Sequence, residues 1–489
     1  MGKKKNPLEN VPRFLIERTL SSTASESTIG RIGDELEALP SYGTFHSGRK
    51  KALRCLLANL VYANRVDPSG FCRISLDQNR YRTNSRYNSM RIGYQPLMAN
   101  IKGLEALGFI EKRPGFQDRT TGKSFETRIR ATEKLTDLLN ADSRAAALNV
   151  DLQHRIETIV LKDADKKRVE YDDTAQSRRR RMQIADYQGV LDKYQISVDL
   201  EGYDKTVRID LDTTEIYRVF NKASFDLGGR FYGGWWQNAP KDIRPRVLID
   251  GRKTLEVDYS GIHVVLAYAV AGLDFFEVHG ESDPYLLPSL GTVDRRIAKK
   301  AFNIALNTDG RSAAINALTN YMEKKKLSLP NGVTASQILD ETESRHQEIK
   351  DLFYTNVGRR LQNIDSIVTE EIVDSVAVKN NLAVLLVHDS YIVEGNPLCG
   401  RVLIEAMTSA LANQVEHLTG KRPKDVKTDW LFGQSPSQSP NQDDDRRFQD
   451  ERMEYLSERM RKPLKSLESA EKERLGVVGV KADIDKNND

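Results

Sequence analysis

Cysteine is scarce in this chain, and long apolar runs are missing. The 489 residues contain three cysteines, Cys55, Cys72 and Cys399, without the C-x-x-C spacing of a zinc site. We therefore expect no disulfide framework, no structural zinc and a reducing compartment. The longest apolar run, residues 264–273, is far shorter than the ~20 residues of a membrane helix, and the Met-Gly-Lys-Lys-Lys start lacks an apolar signal segment. These absences predict a cytoplasmic protein without membrane contact.

An excess of one charge sign is also missing, but the basic residues are clustered. The formal net charge is only +4, whereas basic runs occur at residues 3–5, 49–51 and 178–181. Such clusters favour nucleic acid as a partner, although each alone is equally typical of a solvated face. At roughly 150 residues per domain, the length corresponds to about three modules.

The first folded module is predicted to span residues 46–140. Apolar positions recur at helical spacing over residues 53–61 and 97–107, and Gly108 ends the second helix. Two short strands joined by a polar turn follow, and another helix begins at Thr132. This order resembles a winged helix-turn-helix domain, used either for DNA binding or for packing and protein contacts. In the DNA-binding case the basic wing residues near phosphates would be Lys112, Arg113, Arg128 and Arg130.

Three other segments are interpreted from their composition. Residues 1–45 are rich in Ser, Thr, Lys and Glu, and are predicted to be disordered or a tether. Residues 141–221 are polar and are predicted to form a helical connector or thumb. Residues 434–489 begin with Ser-Pro repeats and are predicted to be a linker and a charged helical or disordered tail.

Two aspartates lie where strands are predicted to end. Asp258 closes an apolar strand before a helical pattern, and Asp389 lies between two apolar runs in the order His-Asp-Ser, as in a tight hairpin. Two-metal phosphoryl transfer needs such a pair, because carboxylate oxygens bind Mg²⁺ and two ions about 3.5–4 Å apart must share ligands. We therefore expect two Mg²⁺ ions, with Mn²⁺ as a substitute.

A basic helix is predicted between these two aspartates. Arg295 and Lys299 stand at i and i+4, so they share one helix face with Asn303. That face could grip a triphosphate, although an ordinary basic amphipathic helix would have the same pattern. The order strand, basic helix and hairpin is what favours the first interpretation.

In this order, the segments resemble motifs A, B and C of family A DNA polymerases and their single-subunit RNA polymerase relatives. The stretch from Gly229-Arg230 to Gln237-Asn238-Ala239-Pro240 is similar to the family segment that precedes motif A, and Gln362 lies where the family has a template-contacting glutamine. The resemblance covers residues 222–433. It implies a palm with an antiparallel sheet and a compact helical fingers region, within an α+β chain.

The resemblance also implies a role for each matching residue. Asp258 and Asp389 would bind the metals with the carbonyl of Tyr259, and Arg295 and Lys299 would act on the triphosphate during catalysis. The remaining implied contacts are Asn303 and His263 to the nucleotide, Arg230, Gln237 and Gln362 to the minor groove, and His388 to the primer terminus.

Three positions depart from the family pattern. His263 stands where these DNA polymerases usually carry Glu, and Asn307-Thr308 replaces the Tyr-Gly at the end of motif B, so both partners of the usual sugar gate are missing. Ser390 gives motif C the His-Asp-Ser of single-subunit RNA polymerases. We also find no paired-carboxylate pattern of a proofreading exonuclease.

The predicted function is a template-directed nucleotidyltransferase: a DNA-dependent DNA polymerase of the family A type, serving replication of a mobile element, plasmid or phage. Its partners would be a DNA primer-template or DNA/RNA hybrid and nucleoside triphosphates. One alternative is a primase or single-subunit RNA polymerase with weak sugar discrimination. The other is a non-catalytic DNA-binding replication initiator or regulator. The retention of Asp258, Asp389, Arg295 and Lys299 argues against it.

Overall fold

Helices and antiparallel strands both contribute to this fold, in agreement with the α+β class predicted from the sequence. The computed structural model describes residues 12–20, 26–66, 69–117, 124–140, 150–152, 157–203, 209, 211, 213–280, 282–291, 293–330, 332–423 and 426–432. The tail predicted for residues 434–489 lies outside this range. Within it, no helix is both long and apolar enough to cross a membrane.

The chain divides into two units, Met1–Glu157 with Thr206–Asp210, and Thr158–Lys205 with Leu211–Asp489. The described elements of the first unit are β1 (Arg18–Leu20), α1 (Glu26–Glu37), α2 (Ser47–Val66), β2 (Cys72–Ile74), α3 (Tyr94–Ala106), β3 (Ile110–Arg113), β4 (Phe116–Gln117), β5 (Ser124–Phe125), β6 (Thr127–Ala131), α4 (Glu133–Asn140) and β7 (Val150–Leu152). Its described strands form four antiparallel pairings, of which two make the sheet β2-β6-β3 and the others are the pair β1-β7 and the hairpin β4-β5.

Helix α1 corrects the prediction that residues 1–45 are a tether. Ile29, Ile32 and Leu36 are fully buried in the hydrophobic core of this unit. They recur at helical spacing, so they form an apolar stripe along one face. The stripe contains only these three large apolar residues, and the polar composition of the surrounding sequence concealed it.

The second unit contains the residues that resemble a polymerase. Its described elements are β8 (Ile159–Leu161), α5 (Ala175–Leu191), β9 (Ile196–Val198), β10 (Ile216–Asn221), β11 (Ser224–Gly233), β12 (Val247–Ile249), β13 (Arg252–Tyr259), α6 (Ile262–Val270), α7 (Phe275–His279), α8 (Arg295–Asn307), α9 (Arg311–Lys325), α10 (Ala335–Arg345), α11 (Gly358–Ile372), β14 (Leu385–Val387), β15 (Ser390–Glu394), α12 (Pro397–Thr419) and β16 (Thr428–Phe432).

Strand β13 is the centre of the larger sheet. The sheet has the order β14-β15-β13-β12-β9, and β16 also pairs with β13, all antiparallel. Successive side chains of a strand point to opposite faces. Leu255, Val257 and Tyr259 are buried, and the Tyr259 hydroxyl donates to the Met407 carbonyl at 2.6 Å in α12. This anchoring fixes the other face, which carries Asp258.

The segment predicted as a helical connector, residues 141–221, is less helical than expected. Its described part contains the helix α5 but also β7, β8, β9 and the start of β10, and β8 pairs in parallel with β10. The β-branched residues Ile159 and Val160 suit a strand. Within the basic run of α5, Arg180 is buried, lies 3.8 Å from Glu370 and covers the Phe220 ring.

Candidate active site

The register of β13 and β15 brings the two predicted aspartates together. Asp258 lies directly opposite Ser390, so Asp389 is adjacent to its cross-strand partner. Asp389 is the second of two turn residues between β14 and β15, and His388, the first, has a φ of 60°. A positive φ at this position suits the twist of a two-residue hairpin, but it is strained for a residue with a Cβ. The sequence-predicted pair therefore shares one edge of the sheet.

Burial and neighbouring carboxylates dominate the surroundings of Asp258. Its Oδ1 is buried and has no hydrogen-bond partner among the described residues. Burial and the charge of Asp389 raise the pKa of Asp258 to about 7, although Lys299 is near enough to oppose this rise. On its other side, Asp258 lies in register with Asp429 of β16. A divalent cation at this position would relieve the repulsion between the carboxylates.

A third carboxylate, Glu256, lies on the same strand and was missed by the sequence analysis. It is buried, and its Oε1 accepts hydrogen bonds at 2.5 Å from both Arg244 and the hydroxyl of Ser390. Burial raises the pKa of Glu256 despite these two donors. Ser390 thus ties the Asp389 turn to β13. The i, i+2 periodicity of a strand would have placed Glu256 on the face of Asp258.

Helix α8 presents the predicted basic face. Asp294 caps its N-terminus by accepting from the Arg296 N–H at 2.8 Å. Apolar side chains bury the opposite face, whereas Lys299 is exposed and Asn303 is partly buried. The Lys299 ammonium lies 5.9 Å from the centroid of the Tyr285 ring. Its charge also opposes the rise in the pKa of Asp258, so Lys299 lies near the aspartate pair.

Arg295, on the same face, already has an anionic partner. Its Nε donates to Asp283 at 2.7 Å and its Nη2 at 3.2 Å, so the pair is bidentate. The guanidinium also lies 4.9 Å from the centroid of the Tyr285 ring. Asp283 was not identified from the sequence, because no periodic pattern links it to α8.

Arg230 and His263 meet at a buried carboxylate, Asp365 of α11. Arg230 donates from Nε to Oδ2 of Asp365 at 2.7 Å. Its Nη2 lies 2.6 Å from the same oxygen and 2.9 Å from Nε2 of His263. A guanidinium only donates, so Nε2 is the acceptor in this contact and the ring hydrogen lies on Nδ1. Burial of the guanidinium lowers the pKa of Arg230, but Asp365 and then Asp389 outweigh this effect and raise it, so Arg230 keeps its charge beside the aspartate pair.

The sequence contains one weak signal for Asp365. The residues Leu361, Ile364 and Val368 form the buried face of α11, and Asp365 lies among them. A carboxylate on an apolar stripe is almost never buried without a charged partner. That partner, Arg230, is 135 residues distant in sequence and could not be identified from local patterns.

The two predicted glutamines lie near the ends of elements in this unit. Gln237 ends a short 3₁₀ turn in which the buried Trp236 donates from its indole to the Leu386 carbonyl at 3.2 Å. This bond ties the turn to β14. Gln362 lies in α11 and accepts from Arg359 at 2.8 Å. Both are partly buried.

The basic residues predicted on the wing are largely paired within the first unit. Arg128 is 7% exposed and its guanidinium lies over Phe116. The acidic partners of the other three are Glu105 for Lys112, Glu111 for Arg113 and again Glu111 for Arg130. Their charge is therefore partly neutralised by residues of the same unit.

The carboxylates of Asp258 and Asp389 suit a metal ion that binds few protein ligands. In the described ranges, no group of three or more His, Cys, Asp or Glu side chains could hold a metal ion. Mg²⁺ in phosphoryl-transfer sites usually keeps several waters and binds one or two carboxylates plus substrate phosphates. Asp258, with its unpartnered buried oxygen, and Asp389 match that pattern.

No protein-family model matches this chain, and no curated protein sequence matches it either.

Proposed function

We propose that the second unit is a template-directed nucleotidyltransferase with a polymerase palm, in which Asp258 and Asp389 bind two divalent cations. One observation carries this proposal: the β13-β15 register joins the two aspartates at a sheet edge, where Asp258 Oδ1 is buried without a partner. Bound ions would supply an activated hydroxyl and stabilise charge on the phosphorus.

The surrounding residues have roles that fit this reaction. Lys299 meets the phosphate charge that grows during transfer, because it is exposed on the α8 face beside Asp258. Glu256 and Ser390 hold the turn that carries Asp389. Arg230, fixed by Asp365, stands beside the pair and would contact the nucleic acid.

Within this class we propose a DNA-dependent DNA polymerase of the family A type, with Mg²⁺ as the working ion. The order of helices and strands in the first unit supports a winged helix that would bring the enzyme to DNA. Its proposed role is replication of a mobile element, plasmid or phage. The polymerase resemblance, over residues 222–433, supports this narrower proposal.

A ribonucleotide-incorporating primase or RNA polymerase is the second candidate. The observation that favours it is the bond between Arg230 and His263 at 2.9 Å. This bond leaves an Nδ1–H donor at the position where family A DNA polymerases carry a carboxylate. An N–H donor can form a hydrogen bond with a sugar hydroxyl. A desolvated carboxylate that packs against an aromatic ring disfavours that hydroxyl.

Primer extension tests the proposal. The full chain is assayed with labelled dNTPs and rNTPs on DNA and RNA templates, with and without a primer, at fixed Mg²⁺. Asp258→Asn and Asp389→Asn should each abolish incorporation, because removing a ligand costs several kcal/mol at the transition state. Asp374→Asn, at an exposed pair with Lys379, is the matched control and should retain activity.

Near wild-type turnover in either aspartate variant would refute the two-metal assignment. The comparison of dNTPs with rNTPs separates the two candidates. If the protein binds duplex but incorporates nucleotides on none of the templates, the result would instead support a non-catalytic regulator.

A further inference from the structure

Arg295 and Asp283 form a bidentate pair at the edge of a cleft. The cleft has a volume of about 180 Å³ and is lined by Ser260, Gly261, Asp283, Arg295 and Lys427, together with apolar side chains of α6 and α7. Ser260 and Gly261 follow β13 directly, so the cleft begins two residues beyond Asp258. Two cations and one carboxylate thus share a cavity that adjoins the aspartate pair.

The segment that carries Asp283 is held from several sides. Asp283 accepts from the Tyr285 N–H at 3.0 Å, which closes a local turn. The ring of His346 contacts the Pro284 carbonyl at 2.9 Å. Although burial works against it, hydrogen bonds from Arg295 and Tyr285 lower the pKa of Asp283, so it is charged at neutral pH. The carboxylate therefore stays close to Arg295.

We propose that Asp283 is a built-in counter-ion that occupies Arg295 until the polyphosphate of a nucleoside triphosphate displaces it, and that Asp283 thereby sets the affinity for the nucleotide. This inference rests on the proposed function, which assigns the triphosphate to the α8 face. Carboxylate and phosphate bind a guanidinium with the same two-pronged geometry. Displacement is feasible because an exposed ion pair is only weakly stabilising, whereas a polyphosphate carries several charges.

The counter-ion role and a merely structural role predict opposite signs. If Asp283 competes with phosphate, Asp283→Asn should strengthen nucleotide binding, whereas loss of a structural support should weaken it. Asparagine retains an oxygen that accepts from the Tyr285 N–H, and it removes the charge and the second acceptor that bond to Arg295. Asp294→Asn is the matched control, because Asp294 forms a similar exposed pair with Arg296 on the same helix and asparagine still caps it.

Calorimetric titration of the full chain with ATP, dATP and tripolyphosphate, each with Mg²⁺, tests the inference. Asp283→Asn should bind each ligand about three- to fivefold more tightly, the ratio that corresponds to the upper range of an exposed pair. Asp294→Asn should bind as the wild type does. In the Arg295→Ala background, Asp283→Asn should bring no gain, because the competition requires Arg295.

Each other outcome refutes one claim or both. Equal or weaker binding by Asp283→Asn than by Asp294→Asn overturns the counter-ion role, while Lys299→Ala still reports on the proposed function. A gain that persists without Arg295 also overturns the counter-ion role. If the wild type binds none of the three ligands, the nucleotide site and this inference fail together.

Discussion

Arg230 directs both its Nε and its Nη2 at one oxygen of Asp365, at 2.7 and 2.6 Å. Asp365 is 1% exposed, and its other oxygen has no hydrogen-bond partner in the described part of the chain. Removing one partner of a buried pair leaves the other charge uncompensated. Asp365 therefore compensates the buried charge of Arg230 and also fixes the position of its side chain.

We predict that Asp365→Asn lowers the free energy of unfolding by about 3 kcal/mol, because Arg230 loses its counter-charge. Urea unfolding followed by circular dichroism measures this loss. Asp374→Asn is the control. The Asp374 side chain, which pairs with Lys379, is 43% exposed, so the free energy of unfolding should change by less than about 0.5 kcal/mol. A loss at Asp365 no larger than at Asp374 would contradict the role of the buried pair.

The positive φ of His388 predicts a separation of stability from activity. His388→Gly removes about 1–2 kcal/mol of backbone strain and adds about 0.5–1 kcal/mol of unfolded-state entropy, so a net gain of roughly 0.5–1 kcal/mol is expected. In the proposed polymerase it also deletes the primer-terminus contact and should lower kcat about tenfold.

Ala223 provides the control for His388. It lies in the turn between β10 and β11 with a φ of 54°. Ala223→Gly should bring a similar gain in unfolding free energy and leave kcat unchanged. If His388→Gly behaved in the same way, His388 would have only a backbone role.

Lys299 and Lys300 are neighbours on α8 with different surroundings. Lys299 lies near Asp258, whereas the Lys300 ammonium lies 5.5 Å from the centroid of the Tyr321 ring. Lys299→Ala should lower kcat by about 10²–10³ and raise the nucleotide KM, as for loss of a donor to developing charge. Lys300→Ala should change either constant by less than about threefold. Loss of DNA binding with normal nucleotide kinetics in Lys299→Ala would instead make this helix a nucleic-acid surface.

His263 predicts weak sugar discrimination. Because His263 and Asn307 replace the glutamate and the tyrosine of the usual gate, kcat/KM for matched dNTP and rNTP should differ by no more than roughly tenfold, or ~1.4 kcal/mol. His263→Glu should raise the preference for dNTP, and His417→Glu, at an exposed position in α12, should not. A strong dNTP preference in the wild type that His263→Glu leaves unchanged would show that another group forms the gate.

Local periodicity was sufficient for the elements that carry the aspartates. Apolar runs on both sides of His388 and Asp389 predicted the hairpin, and the 3.6-residue period predicted which face of α8 is basic. Gly108, with a φ of 70°, follows α3 as expected. These features depend on neighbours in sequence, so the sequence alone specifies them.

Pairings between distant segments could not be predicted in this way. The partners of Arg230 and Arg295 lie 135 and 12 residues away, and nothing in the spacing distinguishes a carboxylate that will pair from one that stays solvated. The helix α1 was missed for a related reason, since its short apolar stripe is stabilised by packing rather than by propensity. Tertiary contacts determine these ion pairs and the packing of α1.

Strand β13 has hydrogen-bonded neighbours on both edges, β15 on one and β12 with β16 on the other. Sheet geometry alternates with a period of two, so inserting or deleting one residue within β13 would exchange the faces of Asp258 and Tyr259. A tyrosine would then occupy the position of Asp258, and a carboxylate would enter the core against α12. Changes in length are therefore confined to the connecting loops, and β13 can vary only by substitution.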